Sequence, residues 1–202
     1  MPMNPAEFYK HMGAHADPEG RLPLSRMTGW EIFPFEPEGL TVVPLAPPSL
    51  PEEPRHGEDP AECRACRPDA PPLWSDENWQ IFHFAESGAP LVLGLQTRAH
   101  YDLPTLPDDL SAELGRLIVH LARAVEGLPH IARAHFSRWG DGGAHMHMFI
   151  YARPAGFAQL RGTCLAVWDD LLPAMPADLQ QRDAEAVALA LAVSYGGTAT
   201  PA

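Results

Sequence analysis

The chain has 202 residues, 46% of them hydrophobic, and a formal charge of -12 at pH 7, with a pI near 5.1; this is enough apolar material for one sizeable core. So acidic a balance argues against a nucleic-acid coat or a binder of anionic membranes, since both need cationic surface, but allows a small phosphorylated ligand held by a few arginines. Three cysteines make no disulfide framework, no apolar leader follows Met1-Pro2-Met3-Asn4-Pro5, and no run approaches the ~20 apolar residues of a membrane span, so the expectation is one cytoplasmic domain with reduced thiols and neither a nucleic-acid polymer nor a membrane as partner.

Residues 1–48 read as an N-terminal arm and a first strand. The arm is rich in Pro, Gly and charge and carries an aromatic cluster at Trp30, Ile32, Phe33 and Phe35, suited to packing on the body or on a second subunit. Gly39 to Leu45 is bounded by Gly and stopped by Pro47-Pro48, which predicts a strand. From Pro47 to Pro72 the composition shifts to Pro, Glu, Asp and Arg, as in an exposed loop. Within it lies Cys63-Arg64-Ala65-Cys66. This spacing suits a zinc knuckle, whose tight turn brings two thiolates to one ion. A redox pair has the same spacing but needs a strand before it and a helix after it, neither of which the pattern offers; two free surface thiols are the bland alternative.

Trp79 to Phe84 alternates as a strand, and Ala89 to Gln96 follows a Glu86-Ser87-Gly88 turn, predicting an antiparallel hairpin that ends near His100. Leu110, Leu114, Leu117, Ile118, Leu121 and Val125 recur at helical spacing after Pro107-Asp108-Asp109, predicting an amphipathic helix over 108–127. Gly127-Leu128-Pro129 ends it. Ile131 to Ser137 reads as a strand, and Arg138-Trp139-Gly140-Asp141-Gly142-Gly143 leads into a second, His145 to Tyr151, as its hairpin partner. On that strand His145, His147, Phe149 and Tyr151 share one face, the two histidines about 6–7 Å apart at Cα. The pair suits two ligands to one metal, a ligand beside a nucleophile, or two half-exposed edge histidines. Beyond Arg153-Pro154 two helical patterns follow, 160–172 and 178–194. The whole predicts an α+β domain, an antiparallel sheet with helices packed on one face and extra C-terminal helices: a core over 49–155 and a C-terminal extension over 156–202 of the same domain.

Taken together, His100 after a hairpin strand, the glycine-rich turn and the His-x-His strand running to Arg153-Pro154 resemble the histidine-triad (HIT) superfamily of nucleotide hydrolases and transferases, over roughly Cys63 to Pro154. The sequence is also distantly similar to galactose-1-phosphate uridylyltransferases. The resemblance implies a Cys2His2 structural zinc site of Cys63, Cys66, His100 and His145. It implies a nucleophile at His147, a phosphate site at Ser137, Arg138, Gly142 and Gly143, and a base slot among Trp79, Phe82 and Trp139. Arg98 and Arg153 are further candidates to meet phosphate charge. The implied ligand is a small-molecule nucleotide and the implied assembly a homodimer. Catalysis would proceed at the α-phosphate of a dinucleoside polyphosphate, nucleoside phosphoramidate or nucleotide sugar, through a nucleotidyl-histidine.

Two features depart from the family pattern. The third motif position, ordinarily His or Gln, is Phe149, and only Ala144 separates the glycines from His145. Removing one preorganised donor can cost a factor of ~100 to 1000 in rate, so a weak enzyme or a nucleotide-binding protein without turnover is the alternative. A zinc hydrolase with both His145 and His147 on a catalytic metal is the third reading.

Overall fold

The structure, a computed structural model, describes residues 3–200. They form two compact units, one through Glu53 and one from Pro54 onward. No helix among the described residues is long and apolar enough to cross a membrane.

The first unit opens with α1 (Pro5–Gly13), a helix within the segment expected to be an N-terminal arm. Asn4 caps it: its side chain accepts from the Glu7 amide while the Glu7 carboxylate accepts from the Asn4 amide, both at 2.9 Å. The strand expected over 39–45 does not form. Val42 O accepts from the Arg21 guanidinium at 2.9 Å rather than from a neighbouring strand, and Val43 is 80% exposed. A β-favouring run without a partner strand or a face to bury remains irregular. The rings of Phe33 and Phe35 meet edge to face at 5.8 Å.

The second unit contains a six-stranded antiparallel sheet in the order β4-β5-β3-β2-β1-β6. Its strands are β1 (Trp74–Ser75), β2 (Trp79–His83), β3 (Leu91–Thr97), β4 (Ile131–Ser137), β5 (His147–Pro154) and β6 (Thr198–Ala199), and its helices are α2 (Asp108–Glu126), α3 (Leu165–Leu171) and α4 (Ala177–Ser194). Both expected hairpins are present, and α2 starts and stops within a residue of the expected span. Side chains of β3 alternate as strand geometry demands: Leu91, Leu93 and Leu95 enter the core with Ile150 and Ala152 of β5 and with Leu117, Leu121, Val187 and Leu191 of α2 and α4. A register shift between Ile131 and Arg133 lets Ile131 join Ala134 and Phe136 on this apolar face. The sheet thus has one face covered by α2 and α4. The other carries Gly94, Gln96, His147, Phe149 and Tyr151.

The C-terminal region secures the β2–β3 turn. The Asp169 carboxylate accepts from Ser87 Oγ at 2.6 Å and from the Ala89 amide at 2.7 Å, and the buried Gln180 side chain donates to Ser87 O and Ala89 O. The helix expected over 160–172 is shorter than its pattern: single 3₁₀ turns at Ala158–Leu160 and Gly162–Cys164 precede α3.

Candidate functional site

The antiparallel pairing of β3 with β5 joins the two hairpins and sets Gln96 opposite His147 and Gly94 opposite Phe149. The strand expected from His145 begins instead at His147, because the preceding residues bond to the 97–101 loop: the Met146 amide donates to Tyr101 O at 2.6 Å, and Met146 O accepts from the Thr97 amide at 3.3 Å. This break separates the fates of the two histidines. His145 is 3% exposed and turns toward the knuckle, whereas His147 is half-buried and lines a cleft.

Cys63, Cys66, His100 and His145 place one ligand atom each within 4.8 Å of one another. His145 Nδ1 is 3.5 Å from both thiol sulfurs, and His100 Nδ1 is 3.3 Å from Cys66 Sγ. Thiolate and imidazole ligands at about 2.3 and 2.0–2.1 Å from a tetrahedral ion stand about 3.5 Å apart, so the donor set fits zinc. His145 Nε2 lies 2.7 Å from Thr97 O; a carbonyl only accepts, so Nε2 carries the proton and Nδ1 presents its lone pair to the cluster. Burial holds the His145 imidazole below its ordinary pKa, with the neighbouring His100 and His147 adding to the effect against the bond to Thr97, which favours the neutral ligand form.

His147 stands outside this cluster. Its Nδ1 donates to His145 O at 2.7 Å, leaving Nε2 of the neutral ring with a free lone pair. The cleft it lines has a volume of about 390 Å³, with Phe82, Phe84, Gly94, Gln96 and Phe149 of the sheet on one side and Arg64, Ala65 and Pro68 to Ala70 of the knuckle on the other. Phe84 packs over bare Gly94, where a Cβ would stand 2.6 Å from its ring. A Cβ on Gly143 would lie 3.7 Å from His147 Cε1, so the glycine-rich turn runs against the imidazole. The turn is fastened to the loop before the knuckle: the His56 amide donates to Gly142 O and the Ala144 amide to His56 O, at 3.2 and 3.0 Å.

The residues named for phosphate and base scatter. Gly143 lies beside His147 with Gly142 next to it in the turn, but Ser137, Arg138 and Trp139 line a separate cleft with His135, Tyr151 and Thr163. Arg138 is ion-paired with Asp102, which also accepts from Arg55 at 2.8 Å. Arg98 donates to Asp76 O, and Arg153 to Pro154 O and Phe157 O. Trp79 is buried on the core side, its indole N–H donating to Glu113 at 3.1 Å; of the proposed base-slot aromatics only Phe82 reaches the His147 cleft. Arg64, Gln96 and Phe84 also line the His147 cleft and were not singled out from the sequence; nothing in the local pattern marks Arg64, whose loop meets the sheet through the bond from Gln96 Nε2 to Ala65 O.

No family model matches the chain, and no curated protein matches it. Among solved structures it is similar to a histidine triad protein from Bradyrhizobium japonicum at 20% identity, covering 61% of this chain and 91% of that one with a TM-score of 0.50. A Zn-bound histidine triad family protein from Mycobacterium smegmatis is 18% identical over 63% of this chain and 89% of its own, with a TM-score of 0.47. A uridylyltransferase mutant is 21% identical over 64% and 46%, with a TM-score of 0.42. The likeness to the Bradyrhizobium japonicum protein shows that the antiparallel sheet and its helical cover have the histidine triad fold.

Proposed function

We propose that the chain is a nucleotide hydrolase or nucleotidyl transferase that works through His147. The observation that carries this reading is the His147 tautomer: Nδ1–H is committed to His145 O, and Nε2 is left as a neutral nucleophile on a residue lining an aromatic cleft. A neutral nitrogen meets less repulsion from phosphate oxygens than a carboxylate would. The base and ribose would lie against Phe82, Phe84 and Phe149, with the α-phosphate at His147 beside the Gly142-Gly143 turn. His147 Nε2 forms a bond to the α-phosphorus as the bond to the leaving group breaks, and the leaving group departs with the electron pair and takes a proton from solvent. Water or an acceptor hydroxyl then attacks the phosphorus and gives its proton to solvent, while the P–N bond breaks and the imidazole recovers its lone pair.

Cys63, Cys66, His100 and His145 would hold zinc, whose contribution is a cross-link between the knuckle, the His100 loop and the residues leading into β5. All four positions are protein ligands, so the site is closed and structural.

Intact-mass spectrometry tests this. Wild type and His147→Ala are quenched at neutral to mildly alkaline pH after mixing with adenosine and guanosine phosphoramidates, dinucleoside polyphosphates and UDP-sugars. A gain of one nucleotide in wild type alone is expected. Binding without adduct or substrate loss would favour the second reading, a nucleotide-binding protein, which Phe149 motivates by replacing a hydrogen-bond donor with an apolar ring.

A further inference from the structure

Among the described residues lining the His147 cleft, Arg64 is the one cation and Asp69 the one carboxylate. The Arg64 backbone is fixed from several sides. Its amide donates to His56 Nε2 at 3.4 Å and its carbonyl accepts from the Arg67 amide at 2.9 Å. The next carbonyl, Ala65 O, accepts from Gln96 Nε2 at 3.1 Å, which ties the knuckle to the β3 residue paired with His147. Cys63 and Cys66 on either side belong to the metal cluster. The guanidinium itself makes no ion pair or hydrogen bond with a described residue, unlike those of Arg138, Arg98 and Arg153. The side chain is solvent-exposed on a fixed backbone, and the residue lines the same aromatic cleft as the His147 imidazole, so a planar fork of donors without a described protein partner is available there for a phosphate to take bidentately.

We propose that Arg64 is the residue that holds the substrate's phosphate beside His147, and that the metal knuckle sets nucleotide affinity through it. The inference rests on the nucleotide reading above and adds to it. The cross-link would act on the ligand as well as on the position of His147, because the residue between its two cysteines is itself a binding group.

The test is equilibrium binding of the four nucleoside monophosphates, each paired with its own nucleoside. The proteins are wild type, Arg64→Ala and Arg64→Lys, zinc-loaded and metal-stripped, with circular dichroism and nucleoside affinity reporting an intact cleft. Losing a charge-assisted phosphate contact is expected to weaken the preferred monophosphate by roughly 10- to 100-fold in Arg64→Ala, with the nucleoside changed by less than about twofold and Arg64→Lys intermediate. Metal removal should weaken the monophosphate in wild type but not in Arg64→Ala. Equal monophosphate affinity in wild type and Arg64→Ala overturns the proposal while leaving the nucleotide reading standing. A parallel loss for nucleoside and monophosphate assigns Arg64 to the base and also overturns it. Equal metal dependence in both proteins, or a wild type that retains no zinc, removes the coupling. Binding of no nucleotide or nucleoside removes the functional reading and this inference with it.

Discussion

Stripping zinc from the Cys63, Cys66, His100 and His145 cluster is the perturbation with the most calculable consequence. The site draws its ligands from three loop segments far apart in sequence, so the unfolded chain cannot present them together and binding stabilises the native state alone. With free zinc at a thousand times the dissociation constant, that linkage adds about 4 kcal/mol. For a unit the size of residues 54–202, at about 2–4 °C per kcal/mol, the melting temperature should rise by roughly 8–16 °C. Burial, with the bond and charge of Cys63 adding to it, pushes the metal-free Cys66 thiol up to about 11. At pH 7 that proton must leave as thiolate binds metal, so calorimetry in two buffers of different ionisation enthalpy should report release of at least about one proton. Calorimetric melts with and without chelator, on wild type and His145→Ala, make the comparison. A wild-type melting temperature indifferent to zinc, or the same zinc-dependent rise in His145→Ala, would refute the assignment and leave the four side chains as a hydrogen-bonded cluster.

Other perturbations test the supports of the site. Asp102→Asn strips the carboxylate shared by Arg55 and Arg138 and should cost about 1–3 kcal/mol in chemical denaturation. Burial alone would raise the Asp102 pKa, but the bonds from Arg55 and the Leu103 amide and the two positive charges outweigh it and hold the carboxyl below its ordinary value. A depressed folded pKa gives stability that is present above the unfolded value and lost as pH falls through the folded one, so the gap between wild type and Asp102→Asn should narrow below about pH 4. Gly57 has φ +76, and a Cβ there would stand 3.1 Å from Cys63 Sγ; Gly57→Ala should cost about 1–2 kcal/mol in backbone strain and weaken zinc retention against a competing chelator dye. Gly94→Ala should displace the exposed Phe84 ring, changing nucleoside affinity while moving stability by less than about 1 kcal/mol, since the ring can swing outward.

Long periodic elements were legible because periodicity reports burial directly: α2 announces its core face through Leu110, Leu117, Leu121 and Val125, and both hairpins follow from alternation and turn chemistry. The clustering of Cys63, Cys66, His100 and His145 was legible because C-x-x-C fixes its own local geometry and the resemblance supplied the two histidines. The short strands β1 and β6 were not, since two residues carry no period and exist only by pairing, Trp74 with Ile81 on one side and Ala199 on the other. Arg138 shows what the sequence left open. Its place next to the glycine turn is correct, but Asp102, 36 residues earlier, claims its guanidinium. Sequence proximity locates a backbone; the partner that decides where a long cationic side chain points belongs to another element. Arg64 was overlooked for the converse reason: its loop meets the sheet through the bond from Gln96 to Ala65 O, and it shares a cleft with His147 only in the folded chain.

Phe149 gives the variant motif a structural sense. Its ring meets His147 edge on at 5.6 Å and 88°, Phe84 at 5.4 Å and Trp139 at 5.7 Å, so it is at once a wall of the His147 cleft and a contact to Trp139, which lines the second one. A polar side chain there would offer a donor to the substrate but would have to be solvated or paired among these rings. The phenyl ring instead packs against one side of the imidazole and restricts its orientation, which favours an aligned nucleophile. In the proposed reaction, charge developing on the phosphate would then be met from the other residues of the cleft, among which the loop holding Cys63 and Cys66 supplies Arg64, and a cation on that loop would compensate for the donor that Phe149 replaces on β5.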